Sequence, residues 1–328
     1  MSNEKWENKV KFCSKDTLKK LSKTITRKSF IVVNYPITKK NCNFAQTYFI
    51  LFQDMTKPRV LFVSQEIEPY SPNSIMADFG RYLPQYIMEH GKEIRIFMPR
   101  FANVNERKNQ LHEVIRLSGL NIVIDDTDHP LIIKVASISS VRMQIYFIDN
   151  EDYFVGKGDI RDENGVFKPD NDERTIFFAR GVLETIKNLS WKPDIIQCSG
   201  WFSMLLPFYI KRTDYRDNPF FMESKVIVTL CDDEFGETMA ENMAKKLKTD
   251  GGTQKDWKFY KEPTYVNIMK AAINYSDGVI LASANVNQEL IDYAKDCKKD
   301  IIPFTPYKNE YFQSINEYFD SIAPKEDD

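Results

Sequence analysis

Residues whose types could carry chemistry follow two apolar runs of the sequence. Glu66 comes three residues after the run 60–63, and Ser199 and Trp201 come just after the run 195–198. Both runs are continuous rather than alternating, which is typical of strands that a parallel sheet buries on both faces. Because ligands of open α/β sheets bind where such strands end, these three side chains are the first candidates for a binding site.

A carboxylate cluster follows a third apolar run. Residues 232–234 are Asp-Asp-Glu and begin two positions after the run 225–230. Carboxylate oxygens at a strand end could hold Mg²⁺, which prefers oxygen ligands. The pattern favours another interpretation, in which these acids occupy the first turn of an amphipathic helix over 232–248, where the helix dipole stabilises negative charge. We therefore predict no metal site.

The sequence gives little support for a serine nucleophile or for chemistry that depends on cysteines. A serine nucleophile on a strand-to-helix elbow needs the pattern GxSxG, and Gln197 stands where the first glycine would be. The five cysteines are widely spaced, form no CxxC pair and are odd in number. This disfavours a disulfide framework or a zinc site, and it favours a reducing, cytoplasmic location. The three histidines are scattered, and His90 before Gly91 indicates a helix end rather than a ligand.

Strands and helices alternate through most of the chain. Apolar residues at helical spacing predict a helix over 78–90, and the strand 92–98 behind it completes a right-handed parallel crossover. Further strands are expected at 121–124, 131–135, 141–148, 195–198, 225–230 and 278–282. Further helices are expected at 173–189, 201–212, 232–248, 265–274 and 285–294. This alternation predicts a doubly wound, mainly parallel, Rossmann-like α/β fold.

The first 54 residues differ in composition from the rest. They hold eleven Lys or Arg against four Asp or Glu, whereas the formal net charge of the whole chain is −2. Three interpretations stay open: a targeting segment, a basic arm that touches a polyanion, or translated sequence upstream of a start at Met55. We favour the third, since Met55 stands just before the first strand. This basic extension is then either absent from the native protein or disordered.

The rest of the chain is acidic, which bears on its partners. A body with net negative charge has no overall attraction for nucleic acid. No run of about 18 or more uncharged apolar residues is present, so no transmembrane helix is expected. The whole chain is 42% apolar and 13% aromatic, which is ample for a packed core. We therefore expect a globular protein that binds neither nucleic acid nor a membrane.

Three segments of the sequence carry recognisable motifs. The first is an SxExxP motif followed by a short loop and an LAD-like triplet. Its residues are Ser64, Glu66, Pro69, Met76, Ala77 and Asp78. The second is the stretch 170–198, which leads through WKPD into an apolar run, and the third is the stretch 268–283. All three resemble one enzyme family, the bacterial glycogen synthases and plant starch synthases of the ADP-glucose type.

The resemblance implies one half of a GT-B fold, in which two Rossmann-like domains face each other across a cleft. It also implies retaining transfer of glucose from ADP-glucose to an α-1,4-glucan such as glycogen or starch, without a metal or organic cofactor. The resemblance implies that the substrate is contacted by Glu66, Asp78, Ser199 and Trp201. Asp78 has an alternative role, because an acid near a helix start also stabilises the helix.

The chain departs from the family pattern in three loops. The family has Lys-Thr-Gly-Gly in the first loop, a histidine and an aspartate in the second, and a His-Asn pair in the third. The departing positions are Pro72, Asn73, Ser74, Ile75, Ser199, Gly200, Leu230 and Cys231. The family's lysine and glycines contact the phosphates of the sugar nucleotide. No basic residue near Pro72 replaces that lysine, although Lys157 on a later loop stays open as a substitute.

The resemblance covers one domain, which we expect at 55–310, followed by an acidic tail at 311–328. Two hypotheses about function follow. In the first, the chain is a glucosyltransferase that works with a separate chain supplying the second domain. In the second, it is a catalytically inactive glucan-binding or regulatory module, a pseudoenzyme. Loss of the donor-side motifs, with Glu66, Asp78 and Trp201 retained, favours the second.

Overall fold

Continuous apolar segments form the strands of the central sheet. We describe residues 57–71, 73–154, 156 and 158–323 of a computed structural model. The strands are β1 Arg59–Ser64, β2 Glu93–Pro99, β3 His112–Glu113, β4 Asn121–Ile124, β5 Thr127–Pro130, β6 Ile132–Ile138, β7 Met143–Asp149, β8 Ile195–Ser199, β9 Lys225–Leu230, β10 Gly278–Leu281 and β11 Asp300–Ile302. The basic extension 1–54, Pro72, Lys157 and residues 324–328 lie outside the described residues, so predictions about them stay predictions.

Nine of these strands form one sheet in the order β11-β10-β9-β8-β1-β2-β7-β6-β3. Neighbours are parallel except at β6, which pairs antiparallel with both β7 and β3. Strands β4 and β5 form a separate antiparallel hairpin. The predicted doubly wound, mainly parallel sheet is therefore confirmed.

Helices cover the sheet and connect its strands. They are α1 Ile75–Glu89, α2 Asn171–Asn188, α3 Leu206–Arg212, α4 Met243–Asp250, α5 Gln254–Trp257, α6 Tyr265–Tyr275, α7 Gln288–Asp296 and α8 Lys308–Ile322. None of these helices combines the length and apolarity needed to cross a membrane, a finding that holds for the described residues.

The connectivity creates a crevice beside β1. From β1 the chain continues to β2 on one side, whereas β8 on the other side is followed outward by β9, β10 and β11. The loops after β1 and β8 therefore leave the sheet in opposite directions. Such a reversal of strand order is where open α/β sheets bind ligands, so the topology itself places a site at the carboxyl ends of β1 and β8.

The predicted helix over 232–248 is wrong in its first half. Helix α4 begins only at Met243, and residues 231–242 form a loop without a regular helix. The acids at 232–234 therefore do not occupy a first helical turn. The physical reason is a competing set of hydrogen bonds, because the Asp233 carboxylate accepts from the backbone N–H of Trp201 and from the Tyr265 hydroxyl.

The predicted acidic tail over 311–328 is wrong for the residues that the structure describes. Residues 308–322 form helix α8, which buries four apolar side chains against the core. Those side chains are Tyr311, Phe312, Ile315 and Phe319. Phe319 is fully buried and its ring lies 6.5 Å from that of Phe62 in β1. The compact unit therefore continues past residue 310 to Ala323.

We expect Phe319→Ala to lower the free energy of unfolding by about 3–5 kcal/mol, because it removes a fully buried aromatic ring and leaves a cavity. Urea denaturation monitored by circular dichroism measures this loss. Tyr307→Ala is the control, since the Tyr307 side chain is 66% exposed just before the same helix. Equal, small effects of the two substitutions would mean that α8 is not packed as described.

Candidate functional site

A cavity of about 320 Å³ lies at the crevice that the topology predicts. Residues 65–66 after β1, Trp201 after β8, residues 231–235 after β9 and residues 282–283 after β10 line it, together with residues 74–76 at the start of α1. Four adjacent strands thus contribute their carboxyl ends to one concave surface. This is the arrangement expected of a ligand site in an open α/β sheet.

Glu66 is held against the start of α1. The Ser74 hydroxyl donates a hydrogen bond to Glu66 Oε2 at 2.5 Å and accepts one from the backbone N–H of Ala77, so Ser74 is the N-cap of the helix. Burial raises the pKa of the Glu66 carboxyl, and the nearby carboxylates of Asp159 and Asp233 raise it further, while the Ser74 bond opposes them. Glu66 is thus a partly buried acid in an electronegative setting.

Trp201 lies on the inner wall of the cavity. Its side chain is 1% exposed and packs edge-to-face against Phe235, with ring centroids 4.8 Å apart. Its backbone N–H donates to Asp233 Oδ2 at 2.8 Å, and the Tyr265 hydroxyl donates to Asp233 Oδ1 at 2.8 Å. The indole Nε1–H has no hydrogen-bond partner within the described ranges, although buried donors are normally paired.

A hairpin-like loop closes one side of the cavity. Its residues Ile160 and Arg161 line both this cavity and a second one of about 150 Å³. Arg161 pairs with Glu237 through two hydrogen bonds, of which Nη2 to Oε2 is 2.9 Å. Arg161 is the single cation among the described residues that line the two cavities. The carboxylate of Glu237 therefore already neutralises that positive charge.

The structure brings only two of the four predicted substrate residues into the cavity, Glu66 and Trp201. Ser199 is fully buried at the end of β8, where its hydroxyl accepts a hydrogen bond from Gln197 Nε2 at 2.6 Å, and it does not line the cavity. Asp78 is exposed in the first turn of α1, also outside the cavity lining. Its position fits the helix-stabilising alternative, while the capping role belongs to Ser74.

The positions that depart from the family pattern differ in where they lie relative to the cavity. Its lining includes Ser74, Ile75 and Cys231. Asn73 is exposed outside the lining, and Leu230 is buried in β9. Burial and nearby acids raise the pKa of the Cys231 thiol well above its usual value, so this thiol is not an activated nucleophile.

Gly200 stands in the left-handed region, with φ of +78°. A Cβ atom at this position would lie 2.6 Å from Met76 Sδ and 2.7 Å from Gln65 Cβ. Such separations are shorter than any normal non-bonded contact, so the loop after β8 is built around a residue without a side chain. The family aspartate expected here does not fit this backbone.

Sequence reasoning missed Arg161, Asp233 and Phe235 as members of the site. The strand-end rule did point to residues 231–234, but the helix predicted there gave the acids another explanation. No sequence pattern indicated Arg161. It lies on a loop more than thirty residues away, along the chain, from the nearest strand whose end lines the cavity. Within the described ranges, no group of three or more His, Cys, Asp or Glu side chains could hold a metal ion.

Comparison with known proteins identifies the family. The model of the starch synthase catalytic domain matches residues 59–301, so the chain belongs to that family and the resemblance seen in the sequence is confirmed. The glycogen synthase of Chlorobium limicola is 43% identical over 173 residues, which cover 52% of this chain and 35% of that enzyme. The glycogen synthase of Chlorobium phaeovibrioides is 33% identical over 234 residues, which cover 71% of this chain and 47% of that enzyme.

A solved structure supports the fold. The catalytic domain of starch synthase IV from Arabidopsis thaliana, bound to ADP and acarbose, matches 76% of this chain and 51% of its own with a TM-score of 0.59 and 17% identity. The likeness extends the family assignment to the fold, a Rossmann-like half of a GT-B glycosyltransferase. The chain spans less than half the length of the curated relatives it matches.

Gly200→Ala is expected to lower the free energy of unfolding by about 2–5 kcal/mol, because left-handed backbone strain and overpacking against Met76 add up. Gly91→Ala is the matched control. Gly91 has φ of +90° but nothing within 4 Å of a built Cβ, so only the backbone strain of about 1–2 kcal/mol applies. Urea denaturation of both variants tests this, and equal losses would contradict the packing described at Gly200.

Glu66→Gln is expected to gain stability relative to the native chain as the pH rises. Because burial raises the pKa of Glu66 above its usual 4.5, the folded state binds this proton more tightly than the unfolded chain does. The stabilising contribution of the group is therefore present at low pH and is lost as the pH rises through the folded pKa. A glutamine at position 66 does not titrate, so the variant does not lose stability in this way.

Denaturation midpoints measured between about pH 4 and pH 7 test this expectation. Glu113→Gln removes an exposed charge on β3, outside the cavity, and is the control. A difference between Glu66→Gln and the native chain that stays constant over this range would show that Glu66 is not desolvated.

Proposed function

We propose that this chain is a glucan-binding domain of the starch synthase family that does not itself transfer glucose from a nucleotide sugar. One observation carries the proposal. The cavity is lined by four acids, and its single described cation, Arg161, is paired with Glu237. The four acids are Glu66, Asp232, Asp233 and Glu234.

A diphosphate is a poor ligand for such a surface. Protein sites for phosphate supply cations or free backbone N–H groups, and transfer of glucose from a nucleotide sugar needs them to stabilise the leaving diphosphate. Two like unit charges at 4 Å repel by about 4 kcal/mol near a protein surface. At the start of α1, the Ser74 hydroxyl is already engaged with the Glu66 carboxylate, so this helix end faces an acid of the protein itself.

An uncharged glucan suits the same surface better. Carboxylates accept hydrogen bonds from sugar hydroxyls, and the exposed Ile75 side chain in the lining offers apolar area to a sugar ring. An α-glucan such as glycogen or starch is therefore the ligand that we propose. Neither a metal nor an organic cofactor is part of this proposal.

A second candidate function is glucosyl transfer from ADP-glucose by an assembled enzyme. Family membership over residues 59–301 favours it. In this case the other half of the GT-B fold, from a partner chain or from further sequence of the same polypeptide, would supply the missing cations.

Two assays on the full chain separate these functions. Co-sedimentation with glycogen is expected to retain the protein, and glycogen-dependent release of ADP from ADP-glucose is expected to be absent. Glu66→Gln is expected to weaken retention several-fold because it replaces a charged acceptor, and Glu113→Gln is expected not to change it. Release of ADP at a rate proportional to protein concentration would establish the transferase, whereas failure to sediment would refute the glucan-binding proposal.

A further inference from the structure

We infer that the glucan is held through at least two consecutive sugar units, one in the larger cavity and the next in the second cavity of about 150 Å³. This inference rests on the proposed function, because it takes an α-glucan as the ligand. It adds the number of sugar units that contact the protein, and it assigns Asn103 and Asp159 to the second unit. Both residues line the second cavity and neither lines the larger one.

The two cavities are adjacent parts of one groove. They share four lining residues, which are Gln65, Glu66, Ile160 and Arg161. From this shared border the larger cavity extends toward the loops after β8, β9 and β10, and the second extends toward residues 101–103 after β2. A groove of two lobes with a common border fits a ligand made of two rings joined by one linkage.

The length of the groove also favours a chain of sugars over a single one. The strand ends that line it belong to β10, β9, β8, β1 and β2, which are consecutive neighbours in the sheet. Neighbouring strands are about 4.8 Å apart, so these five strand ends extend over about 19 Å. One sugar ring is shorter than this distance, and therefore a monosaccharide leaves part of the groove without a ligand.

The second cavity offers hydrogen-bonding groups that the protein does not use itself. The Asn103 side chain is exposed, and its amide has no hydrogen-bond partner in the described part of the chain. The Asp159 carboxylate is held by its own loop, because Oδ1 accepts from the backbone N–H groups of Ile160 at 2.6 Å and Arg161 at 3.3 Å. Its Oδ2 keeps its lone pairs for a ligand. An amide that donates and accepts, beside a carboxylate that accepts, is complementary to sugar hydroxyls.

The size and charge of the second cavity select one neutral ring. An apolar cavity of about 150 Å³ holds benzene, which is also a six-membered ring, whereas a whole nucleotide is larger. A phosphate group would meet the carboxylates of Glu66 and Asp159, and the charge of Arg161 is already offset by Glu237. A sugar unit of the glucan is therefore the occupant that this lobe fits.

A series of α-1,4-linked sugars tests the inference. Isothermal titration of the full chain is expected to show about tenfold tighter binding of maltose than of glucose, because the second unit adds hydrogen bonds that glucose does not make. Measurable binding of maltose beside glucose binding too weak to measure would support the inference equally. Equal affinities of glucose and maltose would overturn it.

Two variants assign the gain to the second cavity. Asn103→Ala is expected to bring the affinity for maltose close to that for glucose while glucose binding stays unchanged, and Asp159→Asn is expected to weaken maltose binding about threefold. The matched controls are Asn121→Ala and Asp128→Asn, which change exposed residues outside both cavities and are expected to keep the gain. Urea denaturation at the native midpoint shows that a variant is folded. A gain that survives Asn103→Ala and Asp159→Asn unchanged would refute the assignment.

The outcomes separate this inference from the proposed function. Retention by glycogen together with equal affinities for glucose and maltose would overturn the inference and leave the proposed function standing. Failure to sediment with glycogen, together with no binding of glucose or maltose, would refute both. Retention by glycogen that maltose displaces at a concentration where glucose does not would support both.

Discussion

The Asp233 carboxylate is the interaction on which the site depends. One oxygen accepts from the backbone N–H of Trp201 after β8, and the other accepts from the Tyr265 hydroxyl on α6. Through these two bonds the loop after β9 is tied to the loop after β8 and to a helix. Burial raises the pKa of Asp233 and the two donors oppose that rise, so the acid is retained in a desolvated place by its partners.

Around Asp233, the crevice has the position that the fold gives it, and its lining is rich in acidic side chains. The nine-stranded sheet and the crossover through α1 place the cavity where open α/β sheets bind ligands. The lining is acidic, with Glu66 bonded to the N-cap Ser74 and Arg161 bonded to Glu237. The fold therefore places the cavity at this edge of the sheet, while the residues at the strand ends give the lining its negative charge.

Much of the fold was accessible from sequence because it depends on local pattern. Continuous apolar runs identified the strands β1, β8, β9 and β10, and helical spacing identified α1. The errors arose where tertiary contacts outweigh local preference. Residues 232–242 have an acceptable helical pattern, but hydrogen bonds to Asp233 hold them as a loop. Residues 311–322 are acidic in composition, but they form a helix whose aromatic face is buried in the core.

The sequence by itself determined the fold class, the family and the strand ends at which a ligand would bind, since each of these follows from hydrophobic periodicity or from contiguous motifs. Only the tertiary structure decided which side chains meet. It brought Glu66, Trp201 and Arg161 into one cavity lining, left the buried Ser199 and the exposed Asp78 outside that lining, and paired Arg161 with Glu237. Convergence of this kind depends on distances between segments far apart in the chain, and no local pattern encodes such distances.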